Sequence, residues 1–115
     1  MNLTKNYKFS KKKPLLIAEI SANHNGSKKK FFRLINSAFD SGADIVKIQT
    51  YEPKDITINE KKEYLKIKKG LWKNKYLWDL YKEAQTPFGW HREAFKIAKK
   101  RNKIIFSSPF SIRAV

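Results

Sequence analysis

A glutamate stands inside an apolar run: Glu19 in LLIAEI, residues 15–20. Burying a carboxylate costs several kcal/mol unless it is paired or hydrogen-bonded, so an acid in a strand-like run asks for a partner or a task. A second run, DIVKIQTY, residues 44–51, carries Lys47 and Gln49 two apart. Strand alternation puts those two on one face and Val46 and Ile48 on the other. If the runs pair in parallel, Glu19, Lys47 and Gln49 converge on one wall. That wall is either a salt bridge that neutralises two buried charges or a site.

Other polar residues stand where such a site would close. Glu19 is followed by the loop Asn23-His24-Asn25-Gly26. The third apolar run, KIIFSS, ends in Ser107 and Ser108 before Pro109. Ligands bind at the carboxyl edge of parallel α/β sheets, and serines there can hydrogen-bond phosphate. A serine pair before proline is also ordinary turn chemistry. Thr86, before Pro87, carries the same two readings: helix cap or phosphate contact. His24 is of a type that ligates metal, but no second histidine stands at metal spacing, and His91 falls on a helical stripe that reads as core packing.

The elements that must position these residues follow from periodicity. Residues 15–20 read as a buried strand bounded by Pro14 and the polar loop. Ser27 caps a helix from Lys28 to about Ser41, with Phe31, Leu34, Ile35 and Ala38 as its apolar stripe and Gly42 as its stop. The strand over residues 44–51 completes a βαβ unit with parallel strands. Residues 52–73 are polar and irregular, longer than an ordinary connection, and loops of that length are usually functional or disordered. Asn74 is the expected cap of a short helix reaching Ala84. Thr86-Pro87 opens another, proline suiting its first position, with His91, Ala94, Phe95 and Ala98 along one stripe. Residues 103–108 form the third strand. The order implies α/β architecture, either a barrel piece or a small doubly wound sheet. A full (β/α)8 barrel needs about 250 residues, so this chain supplies roughly three of its eight units.

Composition narrows the classes. The 115 residues are 41% hydrophobic, enough for one small core. The absence of cysteine excludes disulfides, thiolate zinc sites and thiol catalysis. Apolar runs are too short for a membrane span, and the start, MNLTKNYKFSKKKP, lacks the apolar core of a signal peptide, so a cytoplasmic location without membrane partners is expected. The formal charge of +16 is the one extreme value. It reads either as a solvated lysine surface, which also attracts anionic substrates, or as a nucleic-acid or anionic-membrane footprint. Its two clusters, Lys11–Lys13 and Lys28–Lys30, are short.

Taken together, AEISANHNG, GADIVKIQTY, IKKGLWKNKYLWDLYKEAQTP, the Trp90-His91 pair and FSSPF resemble the sialic acid (nonulosonic acid) synthase family in order and spacing, from about Pro14 onward. ISANHN, KIQTY and the IKKGLW stretch are more similar to the pseudaminic acid synthase branch than to the N-acetylneuraminate branch. The resemblance implies the N-terminal portion of a TIM (β/α)8 barrel over residues 14–115, preceded by a basic tail over 1–13. In the complete family a C-terminal antifreeze-protein-like domain follows. It also implies a reaction: C3 of phosphoenolpyruvate attacks the aldehyde of an open-chain N-acetylated amino sugar, water adds at C2, and phosphate leaves. A divalent metal (manganese, magnesium or cobalt) would polarise the aldehyde, with ligands on later strands and not in this chain.

Carried over residue by residue, Glu19 matches the family's active-site glutamate, suited to acid–base work or charge stabilisation. Lys47 matches the lysine that binds phosphoenolpyruvate, and Gln49 a residue contacting the sugar. Thr86 and Ser107 match positions of the phosphoenolpyruvate pocket, Ser108 being the weaker match, while Asn23 and His24 line the site from the signature loop. The family commonly forms homodimers. By this reading the chain is an incomplete synthase, inactive alone, with an open sheet edge. Two other readings remain at this level. One is a small basic nucleic-acid-binding module stacking bases on Trp72, Tyr76, Trp78 and Tyr81. The other is a fragment of a different phosphosugar-handling barrel.

Overall fold

The computed structural model describes residues 14–115. The basic tail expected over residues 1–13, with its Lys11–Lys13 cluster, lies outside the described residues. Three strands, β1 (Ile17–Glu19), β2 (Ile45–Thr50) and β3 (Ile104–Pro109), form one parallel sheet in that order. Helix α1 (Lys28–Asp40) connects β1 to β2, and α3 (Phe88–Lys100) leads into β3. A shorter helix, α2 (Leu77–Ala84), belongs to the long connection between β2 and α3. The chain therefore forms two consecutive parallel βαβ crossovers.

The ladder assigns each side chain to a layer. Ile17, Ile45 and Ile104 lie in register, as do Glu19, Lys47 and Phe106, and Gln49 lies beside Ser108. Partners in register project to the same side of the sheet, and alternation sends their neighbours to the other. The second side, with Ala18, Ile20, Val46, Ile48 and Ile105, meets α1 and α3. Phe31, Ile35 and Phe39 from α1, with Ala94 and Ala98 from α3, complete that core. Small alanines on α3 bring it close to the sheet, while the larger α1 residues fill the space between.

Local chemistry explains the boundaries. Ser27 caps α1 as its sequence position implies, its hydroxyl accepting from the Lys30 amide at 3.2 Å. Gly42 ends the helix at φ +95°, a conformation that penalises any side chain. Asn74 is not the cap of α2. It takes a left-handed turn (φ 73°), its amide donating to the Ile67 carbonyl at 2.8 Å, and the helix begins only after Tyr76. Asparagine tolerates that conformation because its short polar side chain can hydrogen-bond locally. Pro87 sits at the cap of α3 rather than inside its first turn. Phe95 lies 43% exposed, so the buried stripe of α3 runs through Ala94 and Ala98 and not through the phenylalanine.

The long connection is ordered rather than irregular. Short 3-10 turns form at Pro53–Asp55 and Glu63–Leu65. Glu52 and Asp55 cap the first turn reciprocally. Lys66 and Tyr76 form an antiparallel bridge, and the Ile67 amide donates to the Lys75 carbonyl at 2.9 Å, closing a small hairpin between them. Helix α2 packs against the Pro53–Asp55 turn.

Candidate functional site

On the face of the sheet away from the helices, Lys47 Nζ lies 2.7 Å from Glu19 Oε2. Both side chains are about one-third exposed (32% and 35%). The other carboxylate oxygen, Oε1, accepts from the Ser21 amide at 3.2 Å. That bond requires the chain to turn sharply after β1, and Ser21 does so with φ 46°, a left-handed conformation for a non-glycine residue. The Ile20 amide donates to the Lys47 carbonyl at 2.9 Å, carrying the ladder one residue past Glu19. The acid is thus held from two directions: by a cation on the neighbouring strand and by its own following turn.

Beyond this pair, toward the carboxyl ends of the strands, Gln49 and Ser108 stand side by side. Neither side chain makes a hydrogen bond among the described residues. An amide and a hydroxyl, half-buried and unpaired, offer donors and acceptors to a ligand. Glu19, Lys47, Gln49 and Ser108 therefore share one wall. Ser107 does not. It lies on the helix-facing side, its Oγ 2.5 Å from Thr50 Oγ1, which in turn sits 2.6 Å from His91 Nε2.

His24 and Thr86 also leave the wall. His24 is fully buried and Thr86 is 2% exposed. His24 Nε2 lies 3.2 Å from Thr86 Oγ1, and its Nδ1 accepts from the Gly26 amide at 3.0 Å. Because Nδ1 accepts, Nε2 carries the proton and donates to the threonine. The ring packs edge-on against Phe31 and Trp90, with centroids 5.6 and 5.3 Å away. Burial, aided by the positive charge of Lys30, lowers its pKa below the ordinary histidine value. Thr86 accordingly neither caps α3 nor faces open space, and its hydroxyl ties the β1 loop to the start of that helix. Asn23 is exposed, its side-chain amide donating to the Ile20 carbonyl at 3.0 Å.

No group of three or more His, Cys, Asp or Glu side chains able to hold a metal ion occurs among the described residues. Both nitrogens of His24 are engaged, and so are those of His91, whose Nδ1 faces the Phe88 and Pro87 carbonyls. These residues do not fit a metal. Nor do the aromatics of the long connection make a continuous stacking platform. Tyr81 packs edge-on against buried Tyr51, Tyr76 and Trp78 are half-buried, and Trp72 projects alone at 51% exposure. No helix among the described residues is long and apolar enough to cross a membrane.

With this geometry in place, known proteins offer a comparison. The model of the NeuB family matches residues 34–115. A pseudaminic acid synthase of Campylobacter jejuni is 46% identical over 100 residues, 87% of this chain but 29% of the relative. A pseudaminic acid synthase of Helicobacter pylori is 43% identical over 102 residues, 89% of this chain and 30% of the relative. The crystal structure of an N-acetylneuraminic acid (sialic acid) synthetase from Leptospira borgpetersenii, in complex with citrate, superposes with a TM-score of 0.72 at 25% identity. It covers 96% of this chain and 34% of that one. The chain thus spans about a third or less of the proteins it matches, and its three parallel strands form the N-terminal portion of a TIM barrel.

Proposed function

The chain belongs to the NeuB family, and we propose that its Glu19–Lys47–Gln49–Ser108 wall is the phosphoenolpyruvate- and sugar-handling part of a nonulosonic acid synthase of the pseudaminic type. The observation that carries this reading is the convergence of those four side chains, from three strands, on the face opposite the helices. The higher identity to two pseudaminic acid synthases than to the sialic acid synthetase supports the branch.

In the reaction, the C2=C3 π pair of phosphoenolpyruvate forms a bond from C3 to the aldehyde carbon of an open-chain N-acetylated amino sugar. The aldehyde C=O π bond opens as it does so, and its oxygen takes up a proton. Water adds at C2, and the C2–O bond to phosphate is replaced as inorganic phosphate departs. Lys47, a compact ammonium, pairs with the carboxylate or phosphate of the incoming anion. Doing so, it exchanges one anionic partner, Glu19, for another. The glutamate freed of that pair remains held by the Ser21 amide, aimed at the same space, and is placed to take or give the proton of the adding water. Gln49 donates and accepts toward sugar hydroxyl and amide groups, and Ser108 donates to an anionic oxygen. His24 and Thr86 act behind the wall by fixing the loop that carries Ser21. The described residues do not fit a metal, and no step here runs through one. We place this reaction in the cytoplasm.

Binding tests the reading. Titration calorimetry of the chain with phosphoenolpyruvate should show saturable binding that Lys47→Ala weakens by about tenfold or more, the loss of one charge-assisted contact. Heat that is non-saturable, or unchanged in the variant, would remove it.

A further inference from the structure

Behind the wall, a chain of hydroxyls and one imidazole crosses three elements. His91 Nδ1, from the first turn of α3, lies 3.2 Å from the Phe88 carbonyl and 3.3 Å from that of Pro87. Carbonyls only accept, so Nδ1 carries the ring proton. Burial lowers the pKa of His91, which keeps the ring neutral and leaves Nε2 bare. Thr50 at the end of β2 must then donate its hydroxyl proton to Nε2, across 2.6 Å. The Thr50 oxygen, its proton committed, accepts from Ser107 of β3 across 2.5 Å. The Ile48 carbonyl, 3.4 Å from Ser107 Oγ, is a second and longer acceptor for the same hydroxyl. The direction runs from Ser107 through Thr50 to His91 and ends on the α3 backbone.

The position of this relay matters as much as its polarity. Thr50 and Ser107 each follow or precede a residue of the wall: Gln49 stands directly before Thr50, and Ser108 directly after Ser107. Alternation makes them opposite faces of the same strand ends. Thr50 is 4% exposed, and with His91 and Ser107 it lines a cavity of about 400 Å³ on the helix-facing side. Backbone bonds fix strand separation in a parallel ladder but tolerate small shear at the ends. A side-chain chain joining the end of β2 and the carboxyl-terminal half of β3 to the first turn of α3 resists that shear. The ladder continues past it, the Phe110 amide donating to the Thr50 carbonyl at 3.1 Å.

We propose that Thr50, Ser107 and His91 form a positioning relay that sets the relative placement of Gln49 and Ser108 on the opposite face, and so the fit of the anionic substrate. The inference rests on the wall being the substrate site. The relay touches no substrate and moves no proton in the reaction.

Two readouts on the chain separate failure of the relay from failure of the site. Phosphoenolpyruvate affinity is measured by calorimetry for the parent, Thr50→Val, Thr50→Ser and His91→Phe. Backbone amide resonances of Gln49 and Ser108 are followed by NMR in the same proteins without ligand. Removing the central hydroxyl in Thr50→Val should weaken binding about fivefold, the scale of one buried hydrogen bond, and shift both amide resonances. Thr50→Ser should restore both. His91→Phe, which keeps a ring in the same space, should repeat the Thr50→Val result if the valine variant does not fold. Unchanged Gln49 and Ser108 resonances in the folded variants would overturn the relay, as would an unrestored serine variant. A parent chain that binds no phosphoenolpyruvate while its resonances shift and recover as stated would uphold the relay and overturn the site.

Discussion

The two faces of this small sheet are both polar near their carboxyl ends, and they treat polarity in opposite ways. On the helix-facing side, His24, Thr86, Thr50, Ser107 and His91 satisfy one another, ring nitrogen to hydroxyl to carbonyl. On the other side only Glu19 and Lys47 pair, and Gln49 and Ser108 stand without partners among the described residues. Buried polar groups that are fully satisfied rigidify a fold, whereas polar groups left half-open and unpaired are available to a ligand. Residue type alone does not separate the two sets, since each contains hydroxyls and titratable groups. Their hydrogen-bond accounts do.

The sharpest break of this comparison is at His24. Replacing it with alanine removes a fully buried ring, its contact with Trp90 and two hydrogen bonds. The expected destabilisation is about 3 kcal/mol, read by urea denaturation. A loss below about 1 kcal/mol would put His24 with the surface residues and dissolve the contrast.

Acid should act on the same face. Both histidines have folded pKa values lowered by burial, so the unfolded chain binds more protons than the folded one as pH falls. Stability is then complete above the ordinary histidine pKa of about 6.5 and declines below it, toward the depressed folded values. Denaturation midpoints at pH 7.5 and 5.5 measure this, and the decline should shrink in His91→Phe. A midpoint that rises on acidification would contradict the neutral-ring assignment on which the relay depends.

Thr86→Val is a smaller intervention of the same kind. It keeps the volume and removes the hydroxyl that accepts from His24, for about 1 kcal/mol. Substitutions on the open wall should do less still. Lys47→Met and Gln49→Ala are expected to change stability by within about 1 kcal/mol, because a pair one-third exposed is well solvated and an unpaired amide loses nothing. Their effect belongs to ligand binding. A wall variant that unfolds the chain would make that face structural.

Much of this was legible in the sequence because it depends on short-range periodicity. The βαβ order, the Ser27 cap, the Gly42 stop and the shared face of Lys47 and Gln49 follow from spacings of two, three and four residues. The placement of Ser107 and Ser108 did not follow. Two adjacent serines always lie on opposite faces, and only the ladder register, Gln49 beside Ser108, says which one joins the wall. The family resemblance favoured Ser107, which the fold turns toward the helices. His24 was equally opaque. A loop histidine becomes core only because Trp90 and Thr86, far along the chain, close over it. Thr50 is legible only through its alternation with Lys47 and Gln49, which puts it on the helix side, where a hydroxyl needs a partner. Asn74 misled because asparagine suits both a helix cap and a left-handed turn, and the nearby hairpin decides between them.

The central claim is that the open wall binds an anion through Lys47 while the satisfied face carries the fold. Calorimetric titration of the chain with phosphoenolpyruvate, paired with melting curves of the parent and Lys47→Ala, tests it most directly. The expected result is saturable binding in the parent, about tenfold or greater weakening in the variant, and melting curves that nearly coincide. Equal binding by both proteins, or none by the parent, would contradict it.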